Sequence, residues 1–343
     1  MRLIIQIPCY NEGQTLLETL RDLPTTIDGV DSVEILIIDD GSADATIAVA
    51  REHGVDHIIR HKKNRGLARS FRTGIDAALR LGADIIVNTD GDNQYSGASI
   101  PDLVKPIVDG RFDVIVGDRQ TGLIAHFSPM KRVLQRFGSS VVRRLSDVDV
   151  PDAVSGFRAF NRNAALQFNI VSGFSYTIEM LIQAGKKHMA VGSVPVKTNP
   201  KTRESRLFKS IPKFIERSLT TMVRMYAMYQ PLRFFVFTGA LISFIGLLPI
   251  LRFLMLYALG EGDGHIQSLT VGGALLVIGT LVLVMGVIGD LVNFNRQLAE
   301  IILEKARRAE AHQGDLIIPN ADWVRINGQD CNSGCAASVG HAV

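Results

Sequence analysis

The sequence predicts an α/β domain with a mostly parallel sheet, followed by two membrane-spanning helices. Two observations support this prediction. Short apolar runs alternate with helical patterns along residues 1–196, which is typical of strand–helix–strand units with helices on both faces of the sheet. Two long uncharged stretches then follow, Phe234–Leu251 and Leu269–Gly289.

Composition narrows the class of protein. The chain has 343 residues, of which 47% are hydrophobic and 21% charged, so disorder and a small disulfide scaffold are excluded. Three cysteines cannot form a disulfide framework, which favours a reducing compartment. With 37 Lys+Arg against 34 Asp+Glu, we expect no nucleic acid partner. The mean hydropathy of +0.19 is high for a soluble protein and low for a multispanning transporter.

The first part of the chain carries the strand and helix patterns in alternation. Buried strands are predicted at Leu3–Ile7, Val33–Ile38, His57–Ile59, Asp84–Asn88 and Asp113–Val116. Helices are predicted at Gln14–Leu23, Ala43–Glu52, Leu67–Leu81 and Ala98–Asp109, with a further helix-like stretch at Phe174–Ala184. Ligands of such sheets bind at the carboxyl ends of the strands.

Acidic and small polar residues follow four of these strands. The segments are Pro8–Glu12, Asp39–Ser42, Asp90–Tyr95 and Gly117–Arg119. Parallel strands bring their carboxyl ends to one edge of the sheet, so these residues are expected to gather there. Helix capping accounts for some of them, Ser42 for example, but not for all four groups.

Asp90 and Asp92 form a metal-site candidate. They are separated by one residue, so a turn can direct both carboxylates, together with Gln94, at one hard cation. Mg²⁺ and Mn²⁺ take one or two protein carboxylates and complete their shells with phosphate oxygens and water. Most D-x-D triplets are surface turns, but this one stands at a strand end beside another Asp-Asp pair.

The two uncharged stretches are long enough to cross a bilayer, for which about 20 apolar residues suffice. A pair of buried core helices is the alternative, but apolarity on all sides favours membrane spans. Basic residues flank both spans on their outer sides, so the positive-inside rule places both ends in the cytoplasm. Met1–Pro8 is too short for the apolar part of a signal peptide, and we expect none.

Four regions are therefore predicted. Before the spans, apolar and basic residues recur at helical spacing, which suits a helix lying on anionic lipid, with packing on the soluble domain as the alternative. After them, a charged helical pattern continues to about His312, and the chain then loses periodicity and is expected to be mobile. Trp323 is left open between headgroup contact and a small packing site. The regions are an α/β domain (1–207), an interfacial amphipathic helix (208–232), two transmembrane helices (233–295; about 234–257 and 269–292) and a cytoplasmic tail (296–343).

Six motifs stand in order along the chain. They are IPCYNE (Ile7–Glu12), DDGS (Asp39–Ser42), NRGLARSFRTG (Asn64–Gly74), DGDNQY (Asp90–Tyr95), GDR (Gly117–Arg119) and SGFR (Ser155–Arg158). With them the chain resembles the family 2 GT-A glycosyltransferases, closest to the dolichol-phosphate mannose synthase-like branch. That branch moves a sugar from a nucleotide onto a polyprenyl phosphate, and its bacterial and archaeal members carry paired spans.

The resemblance implies a nucleotide-sugar site, with UDP and GDP as the leading carriers and the sugar left open. Mg²⁺ or Mn²⁺ on Asp90, Asp92 and Gln94 would bridge the diphosphate, with Asp92 essential for catalysis. The implied nucleotide-sugar residues are Pro8, Tyr10, Asn11, Glu12, Asp39, Asp90, Gly91 and Asp92.

It also implies an anionic acceptor, undecaprenyl or dolichyl phosphate. A phosphate monoester has a second pKa of about 6, so its attacking oxygen is already ionised and needs no general base. Cations must hold it instead. The candidates are Arg119, where the family has G-S-R in place of GDR, with Arg132, Arg136, Ser139 or Ser140, Arg203 and Arg206.

Two rival functions remain open. An enzyme that glycosylates a polysaccharide or glycolipid hydroxyl would need a base, for which Glu179 is the candidate. The other rival is a catalytically inactive protein that anchors or inserts other membrane enzymes. Such a protein would lack the acidic residues at the strand ends, which are present here. The main expectation is an inverting transferase in the cytoplasmic membrane, with the α/β domain and both termini in the cytoplasm. Small residues in the spans also suit packing between protomers, so a homo-oligomer is an open alternative.

Overall fold

The computed structural model describes residues 1–120, 140, 143, 146–171, 176–200, 216, 220, 223–224, 226–260, 265–313 and 321–324. The chain divides into two compact units. One, here called the α/β unit, comprises Met1–Phe214 and Leu303–Val343, and the other, the hairpin unit, comprises Ile215–Ile302.

The α/β unit contains one mixed sheet, with eight strands among the described residues in the order β7-β5-β6-β4-β1-β2-β3-β8. Strands β3, β2, β1 and β4 are parallel, whereas β6 runs antiparallel between β4 and β5. The strands are β1 Arg2–Cys9, β2 Ser32–Asp39, β3 His57–His61, β4 Ile85–Asn88, β5 Val114–Asp118, β6 Arg158–Asn161, β7 Val191–Pro195 and β8 Ala321–Trp323.

Helices connect the parallel strands. The described helices of the α/β unit are α1 Leu16–Asp22, α2 Thr46–Glu52, α3 Leu67–Arg80, α4 Ile100–Val108, α5 Arg162–Gln167 and α6 Tyr176–Lys186, with a 3₁₀ turn at Gly97–Ser99. Both faces of β1 are buried, since Leu3, Ile4 and Ile5 are all fully inaccessible to solvent. Continuous apolar strands of this kind are what a sheet covered on both faces requires.

The structure confirms the α/β class and the five predicted strands and five helical stretches, with ends shifted by a few residues. The sequence patterns missed β6, β7 and α5. Strand β6 has only four residues, and β7 contains Gly192 and Pro195, so neither gives a strong strand signal.

The expectation of a mobile tail was wrong for Ala321–Trp323. These residues form β8, which pairs antiparallel with β3. The Trp323 ring packs edge-on against His57, with ring centroids 6.1 Å apart. Pairing through the backbone needs no periodic side-chain signal, which is why a three-residue edge strand escapes detection in sequence.

The hairpin unit holds two helices long and apolar enough to cross a membrane: α7, Pro231–Ala258, and α8, Ile266–Gln313, whose last residues, from Leu303, belong to the α/β unit. In the most apolar 18-residue segment of α7 only 11% is buried, and in that of α8 only 17%. This low burial argues against the alternative that they are core helices of a soluble protein. Helix α8 continues well beyond the predicted span. Most of the predicted interfacial helix, 208–232, lies outside the described residues.

Glycines let α7 and α8 approach each other closely. A Cβ at Gly246 would lie 2.7 Å from Leu275 Cβ, and one at Gly239 would lie 2.8 Å from the Gly279 carbonyl oxygen. Close backbone approach at small residues is a general mode of helix packing in membranes. These glycines therefore have a role within one chain. Gly273 differs, because nothing described lies within 4 Å of its Cβ position.

Candidate active site

The loops after β1 and β2 are joined by reciprocal hydrogen bonds. The Asn11 amide donates to Ser42 Oγ at 2.8 Å, and the Ala43 amide donates to Asn11 Oδ1 at 2.9 Å. The Glu12 amide donates to Thr46 Oγ1 at 2.9 Å. Asn11 has a φ of +54°, a conformation that asparagine tolerates better than most residues. The IPCYNE and DDGS motifs thus form one structure.

Tyr10 and Asp39 differ in their exposure to solvent. Tyr10 is 42% exposed, so its ring is accessible to a ligand. Asp39 is fully buried and accepts from the Ser42 amide, while Arg60 Nε lies 3.3 Å from its Oδ2. Pro8 lies opposite Ile38 where the parallel strands β1 and β2 pair. The predicted nucleoside residues therefore share one edge of the sheet.

The loop after β4 carries the predicted metal residues. Gln94 Nε2 donates to Asp92 Oδ2 at 3.0 Å, and Asn93 has a φ of +54°. Gly91 packs tightly, since a Cβ there would lie 3.0 Å from Cys9 Sγ. Thr15 Oγ1 donates both to the Gly91 carbonyl and to Glu12 Oε2, each at 3.0 Å. The loop is thereby tied to the segment after β1.

These residues fit a magnesium or manganese ion bound together with a diphosphate. No group of three or more His, Cys, Asp or Glu side chains suited to a metal occurs among the described residues. The turn offers two carboxylates, Asp90 and Asp92, and the amide oxygen of Gln94. Such hard oxygen ligands, with the remaining positions left for phosphate and water, match the preference of Mg²⁺.

The SGFR segment lies against Asp90. A Cβ at Gly156 would lie 3.4 Å from Asp90 Oδ2 and 2.8 Å from the Tyr176 hydroxyl. The Gly156 amide donates to the Tyr95 hydroxyl at 3.2 Å, and Asn88 Nδ2 donates to the Gly156 carbonyl at 2.8 Å. A side chain at Gly156 would crowd Tyr176 and Asp90, so the motif allows close backbone approach beside the loop that carries Asp90 and Asp92.

Arg158 holds the same segment from within the core. Its guanidinium is fully buried and donates to the backbone carbonyls of Ser155, Ala153 and Thr177 at 2.7–2.8 Å. Burial lowers the pKa of Arg158 to about 10. A buried cation with this bonding fixes the 153–155 turn against the start of α6.

Arg119, at the end of β5, forms a two-point ion pair with Asp152. Arg119 Nε donates to Asp152 Oδ2 at 2.6 Å and Nη2 to Oδ1 at 3.0 Å. Burial alone would lower the pKa of Arg119, but the nearby Tyr95 and the bonds to Asp152 raise it above its usual range. The guanidinium therefore stays charged, and its remaining N–H groups are oriented by the pair.

Glu179 is fully buried in the first turn of α6. Its Oε1 accepts from the Val171 amide at 3.0 Å. The other acceptor-site predictions, Arg132, Arg136, Ser139, Arg203 and Arg206, lie outside the described residues. Ser140 is described as helical and exposed.

Sequence reasoning missed three residues at this edge. Asp152 carries no motif signal, because an isolated acid in a turn resembles any surface residue. Arg60 and His61 follow the predicted strand His57–Ile59 and were given no role, and only the parallel pairing of β2 with β3 brings them to Asp39 and Asp40. Two consecutive basic residues at the end of one strand, together with two consecutive acidic residues at the end of the strand before it, were the available signal.

Comparison with known proteins agrees with this architecture. The model of the Glycosyl transferase family 2 matches residues 4–167. An uncharacterized protein of Methanocaldococcus jannaschii is 31% identical over 57% of this chain and 81% of its own. A UDP-N-acetylglucosamine–dolichyl-phosphate N-acetylglucosaminyltransferase of Methanococcus voltae is 28% identical over 56% of this chain and 83% of its own. The polyprenol monophosphomannose synthase of Mycolicibacterium smegmatis is 26% identical over 57% and 76%.

Solved structures show the same fold. Glucosyl-3-phosphoglycerate synthase from Mycobacterium tuberculosis, in complex with Mn²⁺, uridine diphosphate and phosphoglyceric acid, has a TM-score of 0.51 and 18% identity, covering 64% of this chain and 78% of that one. Its complex with phosphoglyceric acid alone has a TM-score of 0.52 and 17% identity, covering 65% and 79%. The fold is therefore GT-A. By the match of residues 4–167 to the family model, the chain belongs to glycosyltransferase family 2.

Proposed function

We propose that this glycosyltransferase moves a sugar from a nucleotide-sugar donor to a polyprenyl phosphate at the membrane surface, with inversion at the anomeric carbon. The observation that carries the proposal is the combination, in one chain, of an acid-lined strand edge and two helices apolar enough to cross a membrane. Relatives named for dolichyl-phosphate and polyprenol-phosphate acceptors support it.

On the donor side, Asp39 and the Pro8–Glu12 loop would bind the nucleoside. Asp90, Asp92 and Gln94 would hold Mg²⁺ or Mn²⁺, which supplies charge neutralisation for the departing diphosphate when bound. Gly91 lets this loop pack against Cys9, and Gly156 lets the SGFR backbone approach Asp90. UDP and GDP remain the leading carriers.

On the acceptor side, the reaction needs cations. An ionised phosphate oxygen forms the bond to the anomeric carbon, while the bond to the nucleoside diphosphate breaks and the leaving group keeps the electron pair. No proton has to move. Arg119, oriented by Asp152, supports this arrangement, because a fixed positive charge holds one anion next to another.

The remaining phosphate ligands are proposed from the chain around the site. Asn199 donates from its backbone to the Gln94 carbonyl at 2.9 Å, and Arg203 and Arg206 follow it in sequence. Arg132, Arg136 and Ser139 follow Arg119 in sequence. The basic residues flanking the spans support a cytoplasmic α/β unit and cytoplasmic termini.

A hydroxyl acceptor with Glu179 as base is the second candidate. The geometry favours it less, because Glu179 is fully buried and its carboxylate accepts from the Val171 backbone. Glu179→Gln separates the two functions, since glutamine still accepts that bond but cannot take a proton. Full transfer to polyprenyl phosphate by Glu179→Gln supports the main proposal, and loss of that transfer contradicts it.

The test is a panel with the purified full chain, Mg²⁺ or Mn²⁺, undecaprenyl phosphate and each UDP- or GDP-linked sugar in turn. Undecaprenol, which has a hydroxyl in place of the phosphate, is the matched control. We expect a lipid-linked sugar from at least one donor with the phosphate and none with the alcohol. No product from any donor would overturn the proposal.

A further inference from the structure

A buried hydrogen-bonded pair, Asp40 and His61, lies one residue beyond the predicted nucleoside ligand Asp39. His61 Nδ1 is 2.7 Å from Asp40 Oδ1, and His61 Nε2 is 3.0 Å from Thr73 Oγ1. The His61 side chain is fully buried and that of Asp40 is 5% exposed. A carboxylate and an imidazole removed from water are costly unless they are paired and hydrogen-bonded.

Asp40 also accepts two backbone N–H groups from the next loop. The Arg65 amide donates to Oδ1 at 2.9 Å and the Gly66 amide donates to Oδ2 at 2.8 Å. Burial alone would raise the pKa of Asp40, but the hydrogen bonds from His61 and from these amides lower it below its usual value. Both carboxylate oxygens are thus committed to the 61–66 segment.

The orientation of the imidazole follows from these partners. Because the Asp40 carboxylate accepts, Nδ1 carries a proton, and Nε2 is left facing the Thr73 hydroxyl. Thr73 lies in α3, so the ring joins three elements: the end of β2, the end of β3 and a helix. The cluster fixes where α3 begins relative to the strand ends.

The same loop touches the DDGS turn. Gly41 has a φ of +76°, and a Cβ there would lie 2.9 Å from the carbonyl carbon of Lys63. On β3, the residue before His61 is Arg60, which lies 3.3 Å from Asp39 and donates to the Ser42 carbonyl at 3.0 Å. Arg60 therefore contacts Asp39, and the next residue, His61, contacts the next aspartate, Asp40.

We propose that His61 is a positioning residue of the donor site. Acting through Asp40, it locks the Lys62–Gly66 loop against Gly41 and Ser42, and so fixes Asp39 and the Asn11 loop that Ser42 holds. The inference rests on the proposed function in one respect, that the ligand of this edge is a nucleotide. It assigns no chemical step to His61.

The test compares two amide substitutions that differ by one methylene. In His61→Asn, the amide nitrogen takes the place of Nδ1 and still donates to Asp40. In His61→Gln, the amide reaches the Nε2 position near Thr73 and leaves Asp40 without that donor. A role in packing alone predicts similar effects of the two, whereas positioning through Asp40 predicts different ones.

Donor KM, acceptor KM and kcat are measured for both variants, and the Kd of UDP and of GDP with Mg²⁺ by calorimetry. We expect His61→Gln to raise donor KM and nucleotide Kd about tenfold or more, the loss typical of a hydrogen bond to a charged group, and His61→Asn to raise them less than about threefold. Acceptor KM should stay within about twofold in both. Equal effects of the two variants, or an unchanged donor KM in His61→Gln, would overturn the inference.

Hydrogen exchange of the wild-type chain covers the case in which neither variant folds. The Arg65 and Gly66 amides should be protected, and protection should increase with the nucleotide. Unprotected amides at these two positions would contradict the inference. Nucleotide binding without sugar transfer would count against the proposed acceptor reaction and leave the positioning role standing.

Discussion

The two units of this chain use the same apolar residue types in opposite ways. In the α/β unit, Ile5 and Ile37 are fully buried between the sheet and its helices. In the hairpin unit, Phe237 is 73% exposed and Met255 67% exposed. The difference teaches that the α/β unit folds around a closed apolar core, whereas the hairpin unit leaves apolar side chains on its surface, as the proposed membrane spans require.

Polar groups show the same contrast. The α/β unit buries polar side chains such as Asp40, His61 and Arg158, each with hydrogen-bond partners. In the hairpin unit, backbone groups bond within the helices, and contact between helices depends on glycines. The proposed chemistry therefore lies in the first unit, and the second holds the two candidate membrane spans.

The largest expected effect is a chemical one confined to the α/β unit. Asp92→Asn removes a carboxylate charge from the proposed metal loop, so we expect sugar transfer to fall about 100- to 1,000-fold or more. Unfolding temperature and extraction from membranes should not change. The exposed Asp102→Asn is the control and should keep full activity. Near-normal transfer by purified Asp92→Asn would contradict the metal assignment.

Two side-chain truncations, one in each unit, test whether apolar residues contribute differently to stability in the two units. Ile37→Ala leaves a cavity in a closed core and should reduce the free energy of unfolding by about 2–5 kcal/mol. Phe237→Ala removes more atoms from an exposed site and should reduce it by less than about 1 kcal/mol in detergent micelles. Denaturant unfolding followed by circular dichroism measures both. Equal losses in the free energy of unfolding would contradict the difference between the two units.

Glycine packing within the hairpin gives a smaller effect. Gly246→Leu must displace Leu275, so we expect the hairpin to lose about 1–3 kcal/mol of stability. Gly273→Leu is the matched control, because its Cβ position is open among the described residues. Thermal unfolding in micelles separates the two. If Gly273→Leu proves the more damaging, that glycine packs between protomers instead.

The smallest effect is a pH dependence far from the proposed site. Burial alone would raise the pKa of Glu34, but hydrogen bonds from His57 and Arg2 lower it from 4.5 to about 2. Its contribution to stability is therefore full above about pH 4.5 and is lost as the pH falls toward 2. Glu34→Gln should remove about 1 kcal/mol at pH 7 and flatten the acid limb of the stability curve. An unchanged acid limb would contradict the pairing.

Much of this architecture was predictable from local pattern. Apolar runs predicted the central strands, because residues such as Leu3–Ile5 are buried on both faces. The four strand-end motifs predicted which edge carries the acids. The Asp152 partner of Arg119 and the antiparallel position of β6 could not be predicted, because both depend on contacts between distant parts of the chain. Likewise, β8 forms by backbone pairing with β3, and its own side chains give no pattern that would predict a strand.

The central claim is that the sugar is joined to a phosphate oxygen of a polyprenyl lipid. The most direct measurement is ³¹P NMR of the acceptor after reaction with the productive donor. The account predicts that the monoester signal of undecaprenyl phosphate is replaced by a diester signal coupled to the anomeric proton of the sugar. A monoester signal that persists while a hydroxyl acceptor gains the sugar would contradict it.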